Sequence, residues 1–272
     1  MSLSTLQRLP EKEPTISILV ATWNCADQLE IFLESLLAQS WRDWQLLLLD
    51  NASSDGTAEL VHYVQQRLVA PQQLLWSSEP DLGIYDAWNR GLRLCRGRYV
   101  SFIGADDSFV DAGSLERIAS LTVSGADLIT ARNAYFAPDG RFLRTWGSAW
   151  NWRRMRQSMT IAHPGMLVRR ELFDRLGAFD ASFRICADYD WFLHLPAELR
   201  SVHSSDPILK VVQAGVSHTR ISQVYRETFR AQRRRMGPLW SAVCWTLNWV
   251  QYGRRRPVSY THLRAHETLR YL

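Results

Sequence analysis

Asp106 and Asp107 stand side by side in "FIGADDSF" (102–109), directly after the apolar run Tyr99 to Ile103, with Gly104 and Ala105 leaving room around them. Adjacent carboxylates repel one another, so this pairing has two readings. Either the two are solvated turn residues, or a cation offsets their charge. Mg²⁺ and Mn²⁺ are commonly held by one or two carboxylates plus the phosphate oxygens of a bound ligand. A second carboxylate pair, Asp188 and Asp190, lies in "ICADYDW" (185–191). A carboxylate within hydrogen-bond reach of a hydroxyl can take its proton during attack. If this segment begins a helix, the two side chains diverge, and Asp190 then serves as a favourable charge at a helix N-terminus.

These groups need elements to position them. "TISILVAT" (15–22), "WQLLLLD" (44–50), "QLLWSS" (73–78), "RYVSFIG" (98–104) and "DLITAR" (127–132) read as strands, mostly buried. Between them, "DQLEIFLESLLAQS" has apolar residues at helical spacing, with Asp27 expected as its N-cap. "SSDGTAELVHYVQQRL", residues 84–95 and the segment after Gly113 also read as helices. The alternation predicts an α/β sandwich around a mostly parallel sheet. Ligands bind such sheets at the carboxyl ends of the strands. Thr22 and Asn24 follow the first strand, Asp50 and Asn51 the second, Glu79 and Asp81 the third, and Asp106 and Asp107 the fourth. Four polar endings on one rim predict a site for a metal and a nucleotide diphosphate. No GxGxxG follows the first strand and no GxxxxGK[ST] occurs, so neither a dinucleotide fold nor a P-loop is supported.

The chain has 272 residues, 46% of them apolar, enough for a sizeable core. Its four cysteines are scattered without metal-site or redox spacing, which predicts reduced thiols in a cytoplasmic setting. The first 14 residues contain no apolar run of the signal-peptide kind. The net charge of +5 hides an asymmetry: eleven arginines and two glutamates lie from Arg220 onward, and the remaining body is acidic. Nucleic-acid binding by that body is not favoured.

"ISILVATWN", "LLLLDNASSDGT", "EPDLGIYDAWNRGLRLCRGRYVSFIGADD" and "FDASFRICADYDWFLHL" occur in the order seen in family 2 glycosyltransferases with the GT-A fold. The chain resembles the bacterial polysaccharide and colanic-acid type of that family over roughly residues 14–215. The resemblance implies a Rossmann-like α/β/α sandwich around a mostly parallel mixed sheet, spanning 14–219. It implies inverting transfer of a sugar from a nucleotide-diphosphate sugar, weakly UDP, to a glycan or lipid-linked acceptor, with Mg²⁺ or Mn²⁺. By position, Thr22, Asn24 and Asp50 match residues that cradle the nucleobase and ribose. Asp81 and Arg90 match the nucleotide-sugar stretch, where Arg90 is either a fork donor to phosphate or a solvated helix residue. Asp55 belongs to the same nucleotide turn or caps the next helix. "ADD" stands at the family's DxD motif with Ala105 in the first position, which assigns the metal to Asp107 and sets Asp106 nearer the ribose. Asp188 takes the catalytic-base position. His163 and Trp150 are placed on the acceptor side, with a structural histidine and a packing tryptophan as the alternatives, and His218 is a candidate metal ligand from a C-terminal loop.

The region 220–256 is basic. Its apolar stretch from Leu239 to Tyr252 is too short to span a bilayer, which needs about 20 residues. It reads either as an interfacial helix on anionic lipid at the inner face of the cytoplasmic membrane or as a helix packed on the body. Residues 1–13 read as an extension. Residues 257–272, "PVSYTHLRAHETLRYL", continue neither pattern and resemble a translated adapter read-through that replaces a native continuation. Two rival functions remain at this stage. A sugar-1-phosphate nucleotidyltransferase needs a Gly-rich N-terminal signature that "VATWNCADQLE" lacks. An inactive GT-A-like scaffold on membranes would have no need of Asp50, Asp107 and Asp188.

Overall fold

In "WQLLLLD", Leu46 and Leu48 belong to one core and Leu47 and Leu49 to another, and all four are fully buried. Strand side chains alternate between faces, so a strand covered on both sides must be apolar at every position. This strand, β2 (Trp44–Asp50), lies in the middle of the parallel half of one mixed sheet. The computed structural model describes residues 13–69, 72–213 and 219–254.

The parallel strands are β1 (Ile16–Thr22), β2, β3 (Gln73–Ser78) and β4 (Tyr99–Phe102), in the order β3-β2-β1-β4. The sheet continues through β8 (Leu167–Arg169), β6 (Leu128–Phe136), β9 (Ser201–Val212) and β5 (Ser108–Phe109), while β7 (Phe142–Trp146) pairs with β6. β8 is antiparallel to both of its neighbours, whereas β6 and β9 are parallel. Helices α1 (Ala26–Leu37), α2 (Thr57–Gln65) and α4 (Ser114–Ser120) contribute buried apolar residues to one core. Helices α3 (Ile84–Leu94), α6 (Arg170–Leu176) and α7 (Ala187–Phe192) contribute to the second. Two further helices are α5 (Trp152–Met155) and α8 (Ile221–Arg254), the latter broken at Gly237–Pro238.

Leu48→Ala is expected to destabilise the protein by about 2–5 kcal/mol, because the site is packed from both sheet neighbours and from one helical layer. Urea unfolding of the two proteins checks this.

One expectation changes. Asp27 does not cap α1: the residue before the helix is Cys25, with no side-chain cap. Asp55 does that work instead, accepting from the Ala26 N–H at 2.9 Å and from Thr57 N–H and Oγ1 at 3.1 and 2.5 Å. One carboxylate thus serves two helix starts, and these hydrogen bonds hold it below the usual carboxylate range, the Thr57 hydroxyl contributing most. The strand β9 runs through "SSDP" (204–207). The structure absorbs it as a shift in register between Ala131 and Asn133 of β6.

Candidate active site

The four parallel strands end on one rim, and register places Thr22, Asp50 and Ser78 side by side across it. Asp50 is fully enclosed. Its Oδ1 accepts from Thr22 Oγ1 (3.0 Å) and Ser53 Oγ (2.5 Å), and its Oδ2 accepts from Ser53 N–H (2.9 Å) and Ser78 Oγ (2.6 Å). Four donors tie three loops to one buried carboxylate. Asn24 holds the next layer, with φ +45 and its Oδ1 accepting from Ser54 N–H at 2.9 Å. The left-handed region is one that Asn tolerates better than most residues. Asn51 likewise accepts from the Asp81 N–H at 2.8 Å.

Arg90 is not a solvated helix residue: its Nη1 is salt-bridged to Glu79 at 2.8 Å, its Nη2 lies 3.8 Å from Asp81 Oδ2, and its Nε and Nη2 are buried without a hydrogen-bond partner. Burial pushes the Asp81 carboxyl up, while the Gly83 N–H and Arg90 pull it down.

The turn after β4 gathers the strongest electrostatics. Asp107 is buried, and its Oδ2 accepts from the Gly104 N–H at 3.0 Å. Burial, and then the charge of Asp106, drive its carboxyl well above the ordinary range. Asp106 is exposed beside it, and partial loss of water raises its carboxyl too. Gly104 leaves the pair room: a Cβ there would lie 2.7 Å from Asp106 Oδ1 and 3.1 Å from Asp107 Oδ2, so the carboxylates would have to shift to admit it. Among the described residues no cluster of three His, Cys, Asp or Glu side chains forms a ready-made metal site. His218 lies outside the described residues.

Asp188 sits in the first turn of α7, on the wall of a cavity of about 650 Å³. Its Oδ1 accepts from Tyr189 N–H at 2.8 Å and lies 3.1 Å from the Tyr85 hydroxyl, which also reaches the Ile185 carbonyl at 2.6 Å. Among the described residues nothing donates to Oδ2. Asp190 also lies in the first turn of α7, the expected place for a charge at a helix N-terminus. It is buried, with Oδ2 3.7 Å from Arg235 of α8 and Oδ1 unpartnered.

His163 packs against Phe102, the last residue of β4, and feels the charge of Asp188. Its ring stacks on Phe102 at 5.4 Å and packs against Trp88 and Phe192, leaving Nε2 buried without a partner. Burial lowers its pKa, and the charge of Asp188 opposes that, so the imidazole is neutral at pH 7. Trp150, expected on the acceptor side, packs against the second core instead, and Trp146 is the tryptophan on the cavity wall.

One positioning residue lies outside the motifs. Glu227 of α8 accepts from the N–H groups of Ile185 (2.8 Å), Cys186 (3.0 Å) and Arg184 (3.2 Å), the turn that leads into Asp188. Burial pulls its carboxyl up, but Gln223 and these N–H groups prevail and hold it low. Glu227→Ala leaves three donors without their acceptor, each worth about 1–3 kcal/mol where water cannot replace it. The expected result is a lower Tm and a lower kcat with little change in nucleotide affinity, read by thermal melting and by comparing turnover with nucleotide titration.

A carboxylate turn at the carboxyl rim of a parallel sheet and a separate carboxylate, Asp188, on a cavity wall are groups that a group-transfer reaction can use. Known proteins make this specific. Residues 17–177, more than half of the chain, match the family model described as glycosyl transferase family 2. A PGL/p-HBAD biosynthesis glycosyltransferase of Mycobacterium tuberculosis is 32% identical over 180 residues, covering 65% of this chain and 68% of that protein. The S. aureus TarS fragment 1–349 in complex with UDP superposes with a TM-score of 0.64 at 18% identity, over 81% of this chain and 65% of that one. The mannosyltransferase PcManGT of Pyrobaculum calidifontis, in complex with GDP-Man and Mn²⁺, gives 0.58 at 15% identity, over 91% and 77%. The chain belongs to glycosyltransferase family 2: it is a glycosyltransferase with the GT-A fold.

Proposed function

We propose that the chain transfers a sugar from a nucleotide-diphosphate sugar to an acceptor hydroxyl, in a single inverting displacement assisted by Mg²⁺ or Mn²⁺. The Gly104–Asp107 turn carries this reading. It keeps two carboxylates together at the expense of burial and mutual repulsion, and it excludes a Cβ that would crowd them. That donor set suits a hard divalent ion that takes its other oxygens from a diphosphate and water. Asp107, with Asp106 beside it, would hold the ion, whose chemistry is stabilisation of the charge that develops on the departing diphosphate.

The chain's own residues do the rest. Thr22, Asn24 and Asp50 shape the base and ribose end of the rim, with Asp50 acting through the hydroxyls and loop it organises. Asp81, braced by Arg90, continues that wall. Asp188 Oδ2 takes the proton of the acceptor hydroxyl as its oxygen bonds to the anomeric carbon and the bond to the diphosphate oxygen breaks. Neutral His163 lines the acceptor side beneath it.

UDP is the preferred nucleotide. TarS, in complex with UDP, supports this, and PcManGT, with GDP-Man, sets the competing choice. The test is calorimetric titration with UDP, GDP and dTDP, each with and without Mn²⁺. UDP binding that requires the metal is expected. A folded protein that binds no nucleotide would overturn the reading in favour of a membrane scaffold.

Helix α8 supports a lipid-linked acceptor in surface-polysaccharide synthesis. Ala231, Gln232, Ser241 and Cys244 are buried, while Leu239, Val243 and Leu247, at successive i+4 positions, are exposed along one side. Arg233, Arg234 and Arg235 precede this apolar stripe. Among the described residues no helix is long and apolar enough to cross a membrane. The reading is that α8 packs on the body and lays its outer stripe on anionic lipid, at the inner face of the cytoplasmic membrane. Co-sedimentation with phosphatidylserine vesicles is expected for the full chain and is lost in L239S/V243S/L247S. Equal sedimentation of both proteins would remove this assignment.

A further inference from the structure

We propose that the cavity beside Asp188 is an acceptor subsite that takes an oxyanion, a phosphate or carboxylate carried near the hydroxyl that receives the sugar. The proposal rests on the glycosyltransferase reading, since it is that reading which makes Asp188 face the acceptor.

Three arginines line this cavity, Arg132, Arg144 and Arg154, and Asp188 is the one carboxylate among the residues that line it. Unlike Arg90, Arg117 and Arg169, which pair with Glu79, Asp111 and Asp127, none of the three has a carboxylate partner among the described residues. Like charges around a common cavity raise each other's energy unless an anion enters.

Each arginine is held differently. Arg132 comes from β6 and is half-buried. Its Nη2 donates to the Thr145 carbonyl at 3.2 Å, and its Nε is buried with no partner. A buried guanidinium N–H without an acceptor is costly, and it leaves Nη1 as the nitrogen of this side chain not yet engaged or enclosed. Arg144 lies over the rings of Tyr135 and Trp146, at 5.9 and 5.8 Å, which orients its fork at the cavity edge. Arg154 is exposed on α5, whose start is fixed by Asn151 Oδ1 accepting the Arg154 N–H at 3.0 Å.

The cavity floor is specific as well. Gly147 has φ +124, and a Cβ there would lie 2.6 Å from the Ala131 carbonyl and 3.0 Å from Ala162. The chain therefore passes close to β6 at this point, and only glycine allows it. Planar guanidinium groups match the oxygens of phosphate or carboxylate in pairs, which lysine does not do. An acceptor anchored by such an anion would present its hydroxyl to Asp188 Oδ2.

The test is calorimetric titration of the full chain, with Mn²⁺ and saturating UDP blocking the donor side. The probes are glucose 6-phosphate, glucuronate and glucose. At least one charged sugar is expected to bind ten-fold or more tighter than glucose, and which one does so identifies phosphate or carboxylate as the anion. In R132Q/R154Q that preference is expected to disappear while UDP affinity is unchanged. R154Q alone, at an exposed position, should lose part of the preference and guards against a folding defect in the double variant. The proposal is overturned if folded wild-type protein binds the charged sugars no tighter than glucose, or if R132Q/R154Q binds them as wild type does. It is also overturned if the double variant loses UDP affinity instead, because the arginines would then hold the donor diphosphate. If UDP does not bind wild-type protein at all, the proposed function fails, and the same three titrations without nucleotide still decide whether the cavity takes an anion.

Discussion

Asp188→Asn is expected to lower kcat by roughly 10²–10⁴-fold with nucleotide affinity essentially unchanged. Asn keeps the shape of Asp and still accepts at Oδ1, so the contacts from Tyr189 N–H and Tyr85 persist. What disappears is the second carboxylate oxygen, which here accepts nothing from the described residues and can take a proton. An interaction needed in the transition state and not in ground-state binding reduces kcat and kcat/KM together. Two neighbours compete for the role. Asp190 is two residues away but buried and paired with Arg235, so it is poorly placed to take a proton from the cavity. His163 is the second rival: its Nε2 is unpartnered but also buried, so it would have to open to the cavity to act. Steady-state turnover of D188N and H163Q, beside nucleotide titration of both, separates them. If D188N keeps full turnover while H163Q loses it, the base is the histidine.

Much of the fold and part of the site are legible in the sequence. "LLLLD" needs burial on both faces, and only a parallel sheet between helical layers supplies that. The rim follows, because parallel strands end on the same side. Gly104 beside two aspartates reads in sequence as spare room, and the geometry gives it content: a Cβ would touch both carboxylates. Other features depend on contacts between distant segments, which residue types alone do not reveal. The pairing of Arg90 Nη1 with Glu79 is a matter of rotamer and helix phase. Glu227 lies about 40 positions from the turn it steadies and has no periodic signature as a cap. Trp146 rather than Trp150 reaches the cavity because Trp146 ends β7 beside β6, whereas Trp150 has turned toward the second core. The strand β9 hides behind Pro207 because a bulge, unlike a regular ladder, has room for a residue without an N–H.

Asp107→Asn is expected to have effects of opposite sign on binding and on stability. In Mn²⁺, nucleotide affinity should fall by about 10²-fold or more, since an amide replaces the charged oxygen of an ion ligand and even outer-sphere partners matter by about 10–100-fold. In a chelator, the same variant should melt at a higher temperature than wild type at neutral pH. The reason lies in proton linkage. Burial first, and Asp106 second, raise the carboxyl of Asp107 in the folded protein well above its unfolded value, near 4. Between those two values the folded state holds a proton that the unfolded state has released. Stability contributed by this group is therefore full below the unfolded pKa and declines as pH rises toward and through the folded one. The amide is neutral at every pH and escapes that decline. The Tm advantage of D107N without metal should thus be largest at pH 7 to 8 and shrink as pH falls toward 4. Mn²⁺ with UDP should reverse the order, stabilising wild type and not the variant, because a ligand that binds only the folded state raises its stability. Melting curves across pH, with chelator and with Mn²⁺–UDP, test both halves. A variant that melts like wild type at every pH, with or without Mn²⁺–UDP, would return Asp106 and Asp107 to the solvated-turn reading and remove the carboxylate pair from the chemistry.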